Sequence, residues 1–431
     1  MRSVLASALA LALTLSATPT FGASDRSQVP LSGPTDHDAD ELSLARGPLM
    51  PQVSSLLSHA VDRLAGAIDS AAIDVLQGAR HPRLSTELAD SLASGAGGRD
   101  RTVYELIRAC EHTSRFADAV DHHPDVVKLL NGSSSRDLTL FVPTNAAFRG
   151  LPHDHKPGRE FVERVLKYHV GLGRYPAGRI LHTHTLPTAL DEELLAGEPQ
   201  RLRTSIGLGG VEINFYSKVV AINIEASNGI IHAVNHILIP PFLVGRILSL
   251  FPSQFSTLLL AYEKTDFVDF VHHVTLNGST VFAPSNNAFG RLGPRANAFL
   301  FNTSKGRRYL RALLKYHISP NATLYTDAFY DATTEDAAGR PSAEGLEREH
   351  YDLPTLLGDA RIGVDIARLG GFSAVRVNGF AHISVRDGVA KNGVIQVVDQ
   401  VLMPPRKGHP SARSRRAMTV KELMARLEPY L

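Results

Sequence analysis

One stretch of this chain is written twice. Thr139 to Phe148 reads TLFVPTNAAF, and Thr280 to Phe289 reads TVFAPSNNAF. Other landmarks recur in the same order. Tyr168-His169 is answered by Tyr316-His317, Leu186-Pro187-Thr188 by Leu353-Pro354-Thr355, and NGIIHAVNHILIPP (Asn228 to Pro241) by NGVIQVVDQVLMPP (Asn392 to Pro405). The offset is 284 − 143 = 141 at the first landmark and 404 − 240 = 164 at the last, so the second copy carries insertions. A shared order with a drifting offset means duplicated domains, because a solenoid would keep a short fixed period.

Inside each copy, β-branched and aromatic residues run into a proline, then Ser or Thr with Asn, then Ala-Phe. This describes a buried strand that stops at a turn and enters a helix. Pro143 and Pro284 have no N–H to extend a ladder, and Thr144 or Ser285 can cap the following turn. Upstream, Thr102 with Glu105 forms a capping box and a helical pattern runs to about Leu130. Strand Leu138 to Val142 follows, then helix Glu160 to Tyr168. From Leu202 the pattern turns to strands, at Val211 to Tyr216, Val219 to Glu225 and Ile230 to Ile239, with a hairpin turn at Gly207 to Gly210. Helices first and strands last predict an α+β fold. The apolar stretch Phe242 to Phe251 joins the copies with hardly any polar spacer and restrains them relative to each other. The second copy inserts Thr326 to Glu349, acidic and poor in apolar residues, which reads as an exposed loop.

The TVFAPTNxAF-type block, the Tyr-His pair and the NGxIHxIDxVLxPP-type block together resemble the fasciclin-like adhesion domain, over 101–241 and again over 250–405. The resemblance implies a wedge-shaped β-sandwich carrying several helices, in a secreted or surface-attached protein that works by binding. Animal members attach to integrins through residues around the Tyr-His pair and an Asp-Ile near the last block. The binding residues this implies are Tyr168, His169, Tyr316, His317 and Asp399. The integrin pattern is incomplete, since Gln400 follows Asp399 and the first copy has Asn235-His236. The residues themselves support another reading of the pairs. Val165-Leu166 and Leu313-Leu314 precede them and Val170 or Ile318 follows, so each Tyr-His belongs in the interior with internal hydrogen-bond partners.

Targeting features surround the repeat. Arg2 and the apolar run Val4 to Leu15 read as a secretory signal peptide over 1–23, cut near Gly22 or Ala23. The segment 24–100 reads as a polar, proline-containing disordered stretch up to Pro51 and then an amphipathic helix from Val53 to Gly78, with a flexible break at Gly95 to Gly98. That helix docks onto the first domain or a second chain, which leaves homotypic association open. The tail 406–431 carries Arg406, Lys407, Arg413, Arg415 and Arg416, a dibasic candidate at Arg415-Arg416, and then a short helix capped by Thr419 and Glu422. No stretch is long and apolar enough to span a membrane and no hydrophobic tail suits a lipid anchor, so a soluble mature protein is expected.

Asn131, Asn277, Asn302 and Asn321 begin N-glycosylation sequons, to which a secretory route gives access. Cys110 is the only cysteine, so no intrachain disulfide forms; its place beside Val103, Leu106 and Ile107 at helical spacing makes it a buried core residue. The 19 histidines include the pairs His122-His123, His153/His155, His182/His184 and His272-His273, yet none has the spacing of a metal site, and they read as surface residues. Neither a nucleophile elbow nor a phosphate or dinucleotide loop occurs, so no catalytic residue and no cofactor is assigned. Net charge is +2 from 45 basic and 43 acidic residues, which gives no global field toward nucleic acid. The expected partner is a protein or polysaccharide of matrix, cell wall or cell surface. The alternative is a soluble luminal protein of the secretory pathway or vacuole that binds a lipid or other small ligand.

Overall fold

The computed structural model describes residues 91–92, 100–132, 137–149, 157–180, 182–207, 210–274, 276–332, 347–369, 372–405 and 418–431. The signal peptide, the polar segment, the amphipathic helix, the Gly95 to Gly98 break, the basic stretch 406–417 and the middle of the acidic insert lie outside the described residues.

The first domain begins with three short helices, α1 (Val103–Ala109), α2 (Ser114–Asp121) and α3 (Pro124–Asn131). The capping box at Thr102 is formed in both directions. The helical pattern expected as one run is interrupted twice. Cys110 leaves the helix with extended dihedrals, and Pro124, which has no N–H to donate, opens a new helix at its first turn. Cys110 is buried, its Sγ 3.6 Å from the Ser91 hydroxyl. Then come β1 (Leu138–Pro143), α4 (Arg159–Tyr168), β2 (Val170–Leu172), the single turn α5 (Ala177–Ile180), β3 (Thr185–Asp191), β4 (Pro199–Gly207), β5 (Gly210–Ile213), β6 (Ser217–Ala226) and β7 (Gly229–Val234). Gly207 pairs with Gly210, which gives the expected hairpin. The last strand ends at Val234, short of Ile239, because the chain turns away where Asn235 bonds the backbone of Lys218.

The second domain repeats the plan. Helices α6 (Val244–Leu250), α7 (Pro252–Lys264) and α8 (Phe267–His272) precede β8 (Ser279–Pro284); α9 (Asn286–Leu292), α10 (Pro294–Asn302) and α11 (Ser304–Tyr316) follow. Strands β9 (Ile318–Pro320), β10 (Ala322–Leu324), β11 (Phe329–Asp331), β12 (Glu347–Thr355), β13 (Gly358–Leu369), β14 (Phe372–Val377), β15 (Ala381–Ala390) and β16 (Gly393–Val398) complete it. Helix α12 (Val420–Leu427), started by the Thr419/Glu422 capping box, buries Leu423 and Leu427 against α10 and α11.

Each domain is α+β with a mixed seven-stranded sheet. In the first, β1 through β7 close on themselves; in the second the order is β12-β13-β14-β15-β16-β8-β9. The ends of that second sheet meet where Leu356 N–H donates to the Ile318 carbonyl at 3.0 Å. The two repeated signature blocks are neighbours: β1 runs parallel to β7, and β8 parallel to β16. Every residue of these four strands is buried, which is why they read as continuous apolar runs instead of alternating ones.

The acidic insert departs from the expectation of an exposed loop. Its first residues form the turn and the second strand of the β10–β11 hairpin, with Thr326, Ala328 and Tyr330 at 1%, 6% and 5% exposure. Tyr330 reaches the first domain at Arg201 and Pro199, while Ala328 packs with Tyr325, Val389 and Val394 inside the second.

Candidate functional site

The Tyr-His pairs close two helices of identical design. His169 Nδ1 lies 2.7 Å from the Val165 carbonyl, and its Nε2 accepts the Leu238 N–H at 2.9 Å. His317 repeats this with the Leu313 carbonyl at 2.8 Å and the Leu402 N–H at 2.9 Å. Because a backbone N–H can only donate, Nε2 is bare in both rings and Nδ1 carries the hydrogen. Each histidine thereby ties its helix to the stretch after the last strand, and burial holds both rings down to about 4. The tyrosines are wired alike. Tyr168 Oη donates to the Arg201 carbonyl at 3.0 Å and accepts from Asn214 at 2.8 Å; Tyr316 Oη donates to the Arg361 carbonyl at 3.0 Å and accepts from Asn378 at 2.9 Å. All four side chains are at most 3% exposed.

The other repeated residues also turn inward. Asn145 accepts from Arg115 N–H at 3.0 Å and donates to the Glu111 carbonyl at 2.7 Å, while Asn286 accepts from Thr257 N–H at 2.9 Å and donates to the Ser253 carbonyl at 3.0 Å. Asn228 and Asn392 accept the first N–H of α1 and α6, at 2.8 and 2.9 Å. Ser285 caps α9.

Asp399 stands apart from the pairs. Its Oδ1 accepts His382 N–H at 3.0 Å, and its Oδ2 lies 2.8 Å from the exposed guanidinium of Arg291. Asn235 occupies the matching place, accepting Lys218 N–H at 2.7 Å. The five residues suggested by resemblance do not therefore form one surface: four are interior, and the fifth is partly exposed.

Of the sequon residues, Asn131, Asn277 and Asn302 are exposed and Asn321 half-buried. Asn277 and Asn321 are adjacent, since Asn277 N–H donates to Asn321 Oδ1 at 2.9 Å. Among the described residues no cluster of three His, Cys, Asp or Glu side chains could hold a metal ion. The expectation of surface histidines fails at His123, which is 4% exposed beneath α4 with Glu163 at 3.9 Å.

What the residue patterns did not announce is a polar seam between the domains. Asp327, in the β10–β11 turn, accepts the His184 and Thr185 N–H groups at 2.8 and 2.7 Å and the Thr185 hydroxyl. Arg201, 7% exposed, donates to Thr185 Oγ1 at 2.7 Å, to the Thr185 carbonyl at 3.1 Å and to Tyr330 Oη at 2.9 Å. Tyr330 passes its own hydrogen to the Pro199 carbonyl at 3.1 Å. Gln200 reaches the Ala390 carbonyl at 3.0 Å, Arg203 the Arg386 carbonyl at 2.9 Å, and His184 Nε2 the Ser373 hydroxyl at 2.9 Å. What the sequence offers as a signal is the apolar run Ala328-Phe329-Tyr330 at the start of the acidic insert.

Two α+β domains on a buried parallel strand pair, wired twice in the same way, define a tandem-domain protein whose repeated residues serve its interior. The chain belongs to the fasciclin family: the fasciclin domain matches residues 111–240 and 253–404. It is similar to aurofusarin biosynthesis cluster protein S of Gibberella zeae, 27% identical over 77% of this chain and 86% of that protein. Human periostin is 26% identical over 68% of this chain and 30% of its own length, and rat stabilin-2 is 26% identical over 50% and 15%. Among solved structures, a FAS1 domain pair from the insect cell adhesion molecule fasciclin I is 17% identical over 67% of this chain and 96% of that one, with a TM-score of 0.31. Among the described residues no helix is long and apolar enough to cross a membrane.

Proposed function

We propose that this chain is a non-catalytic glycoprotein of the cell exterior or secretory lumen that binds a matrix, cell-wall or cell-surface partner with its two domains, bounded near 101–241 and 250–405. The observation that carries the reading is the use of the repeated polar residues. Tyr168, His169, Tyr316 and His317 spend every hydrogen-bonding atom on internal partners, which supports a supporting role for them and leaves the outer surface for contact. The likeness to periostin and the stabilins supports adhesion. Glycan at exposed Asn131, Asn277 and Asn302, with Asn321 crowded by Asn277, fits a secretory route. The decisive experiment is twofold. Endoglycosidase should increase the gel mobility of the native protein, and the purified chain should be retained by matrix or wall fractions. An unglycosylated cytosolic protein that no such fraction retains would sink the reading.

A second reading is favoured by the even coverage of the Gibberella protein named for a biosynthesis cluster. In it, the chain is a luminal or secreted accessory protein that holds a small apolar molecule. Recovery of such a molecule from protein isolated in native form, with no retention by any wall or matrix fraction, would decide for it.

A further inference from the structure

We propose that the exposed face of α11 in the second domain binds an anionic polysaccharide, one carrying sulfate or carboxylate groups. This rests on the binding reading above and names the partner's chemistry. The helix carries Lys305, Arg307, Arg308, Arg311 and Lys315, five basic residues and no acidic one. Its apolar side is fully committed to the core, with Tyr309, Leu310, Ala312, Leu313 and Leu314 buried. At about 100° per residue, the five cations fall within one half of the helix surface and extend about 15 Å along it.

The duplication supplies an internal control. Helix α4, which ends at the first Tyr-His pair as α11 ends at the second, has Glu160 and Glu163 among Arg159, Arg164 and Lys167. There Lys167 pairs with Glu163 at 2.7 Å, and Arg164 with Glu192 at 2.7 Å. On α11, among the described residues, none of the five cations has a carboxylate within ion-pair distance. The same architectural position is neutralised in one copy and left positive in the other, so the fold does not require the charge.

A second observation comes from α8. Both Arg311 and Lys315 lie over the one ring of Phe270, at 5.3 and 4.4 Å from its centroid. Two like charges are thus held side by side on a shared aromatic platform. Burial first, and the neighbouring Arg311 second, lower the Lys315 ammonium below its usual range. An anion placed against the pair would relieve that repulsion.

The geometry favours a polysaccharide over the other polyanions. A bilayer contact would want apolar side chains beside the cations to enter the lipid boundary, but the outward side chains of α11 are basic and its apolar ones are inside. A single-stranded nucleic acid would want open aromatic faces, and Phe270 is already covered by its two cations. A cationic face about 15 Å long suits an extended chain whose anionic groups recur at short intervals.

The test uses the full chain with heparin and polygalacturonate as probes, in parallel with phosphatidylserine vesicles, single-stranded DNA and a crude wall or matrix fraction. The variant Arg307→Gln/Arg308→Gln/Arg311→Gln is compared with Arg159→Gln/Lys167→Gln on α4, thermal unfolding checking that both stay folded. Binding to at least one polysaccharide probe should weaken as salt rises, and the triple variant should lose about tenfold, three surface charge contacts of ordinary strength taken together. The α4 variant should bind as the native chain does. Retention by the crude fraction that the triple change leaves intact, with no affinity for either probe, overturns the proposal while the binding reading survives. Preference for vesicles or DNA over both polysaccharides also overturns it. If neither the probes nor the crude fraction are bound, the binding reading falls with it.

Discussion

Acid should loosen this protein well before its carboxylates titrate, and the two Tyr-His histidines set the size of the effect. In the folded state each ring is neutral, with Nε2 accepting a backbone N–H, and burial holds it at about 4 against an ordinary 6.5. As pH falls through 6.5 the unfolded chain takes up a proton at each ring while the folded chain does not. Stability is therefore fully present above about 6.5 and drains away until pH passes below about 4. The full span is worth about 3.4 kcal/mol per ring, and at pH 5 about 2 kcal/mol of it is already lost. Across both domains that is about 4 kcal/mol at pH 5, a large part of the 5–15 kcal/mol typical of a folded domain. His184 and His232, lowered chiefly by burial, add in the same direction. His350, raised by its hydrogen bond to Asp365, acts oppositely but sits in solvent on an exposed strand. The assay is the urea midpoint at fixed ionic strength between pH 7.5 and 5, a window above most carboxylate titrations. His317→Gln, which has both a donor and an acceptor but no titration, should be less stable at pH 7.5 yet lose about half of the native acid slope. A flat native profile, or an unchanged slope in that variant, would refute the argument.

Three further outcomes follow from particular contacts. Asp327→Ala strands two backbone N–H groups and the buried Arg201, so the tandem should lose about 3 kcal/mol and unfold in two steps in place of one; an unchanged single transition in urea would show that the seam holds nothing. Gly393→Ala drives a Cβ into the Ser279 carbonyl at positive φ and should cost about 3 kcal/mol or more, whereas Gly358→Ala, in an open turn, should cost about 1 kcal/mol by thermal melting; equal effects would contradict the close-approach account. Tyr316→Phe removes the hydroxyl between Asn378 and the Arg361 carbonyl and should cost about 1 to 3 kcal/mol, read from the same melts, with no loss implying that neither partner needs it.

The duplication made the fold legible. Once TLFVPTNAAF and TVFAPSNNAF are aligned, the strand, the proline stop and the following turn are set by local chemistry, and the buried parallel pair explains the unbroken apolar runs. The glycine of each NG block is legible only afterwards. Gly229 and Gly393 are required because a Cβ would meet the Leu138 and Ser279 carbonyls on the neighbouring parallel strand, a contact between residues far apart in sequence. The seam was hidden for the same reason. Asp327 and Arg201 look like ordinary surface charges until the fold brings them together, and a charged insert is normally read as solvated. The charge on α11 was concealed differently: five cations that meet no carboxylate among the described residues disappear into a net of +2 when only composition is counted.

Asp399 shows how two copies of one module separate what a position requires from what one copy added. In the first domain Asn235 accepts Lys218 N–H at 2.7 Å; in the second Asp399 accepts His382 N–H at 3.0 Å. An amide serves in one and a carboxylate in the other, so the shared requirement is an acceptor oxygen. The charge belongs only to the second copy, where it meets Arg291 at 2.8 Å with the two side chains 24% and 59% exposed. An exposed ion pair of this kind contributes about 0 to 1 kcal/mol. Asp399→Asn should then be nearly neutral in urea denaturation, while Asp399→Ala, which leaves the His382 N–H unpaired, should cost about 1 to 3 kcal/mol. Adhesion measured on the same proteins separates the roles. If Asp399 is a strut, Asp399→Asn adheres normally; if that variant keeps its stability and no longer adheres, the carboxylate is a contact and the strut account of this residue is wrong.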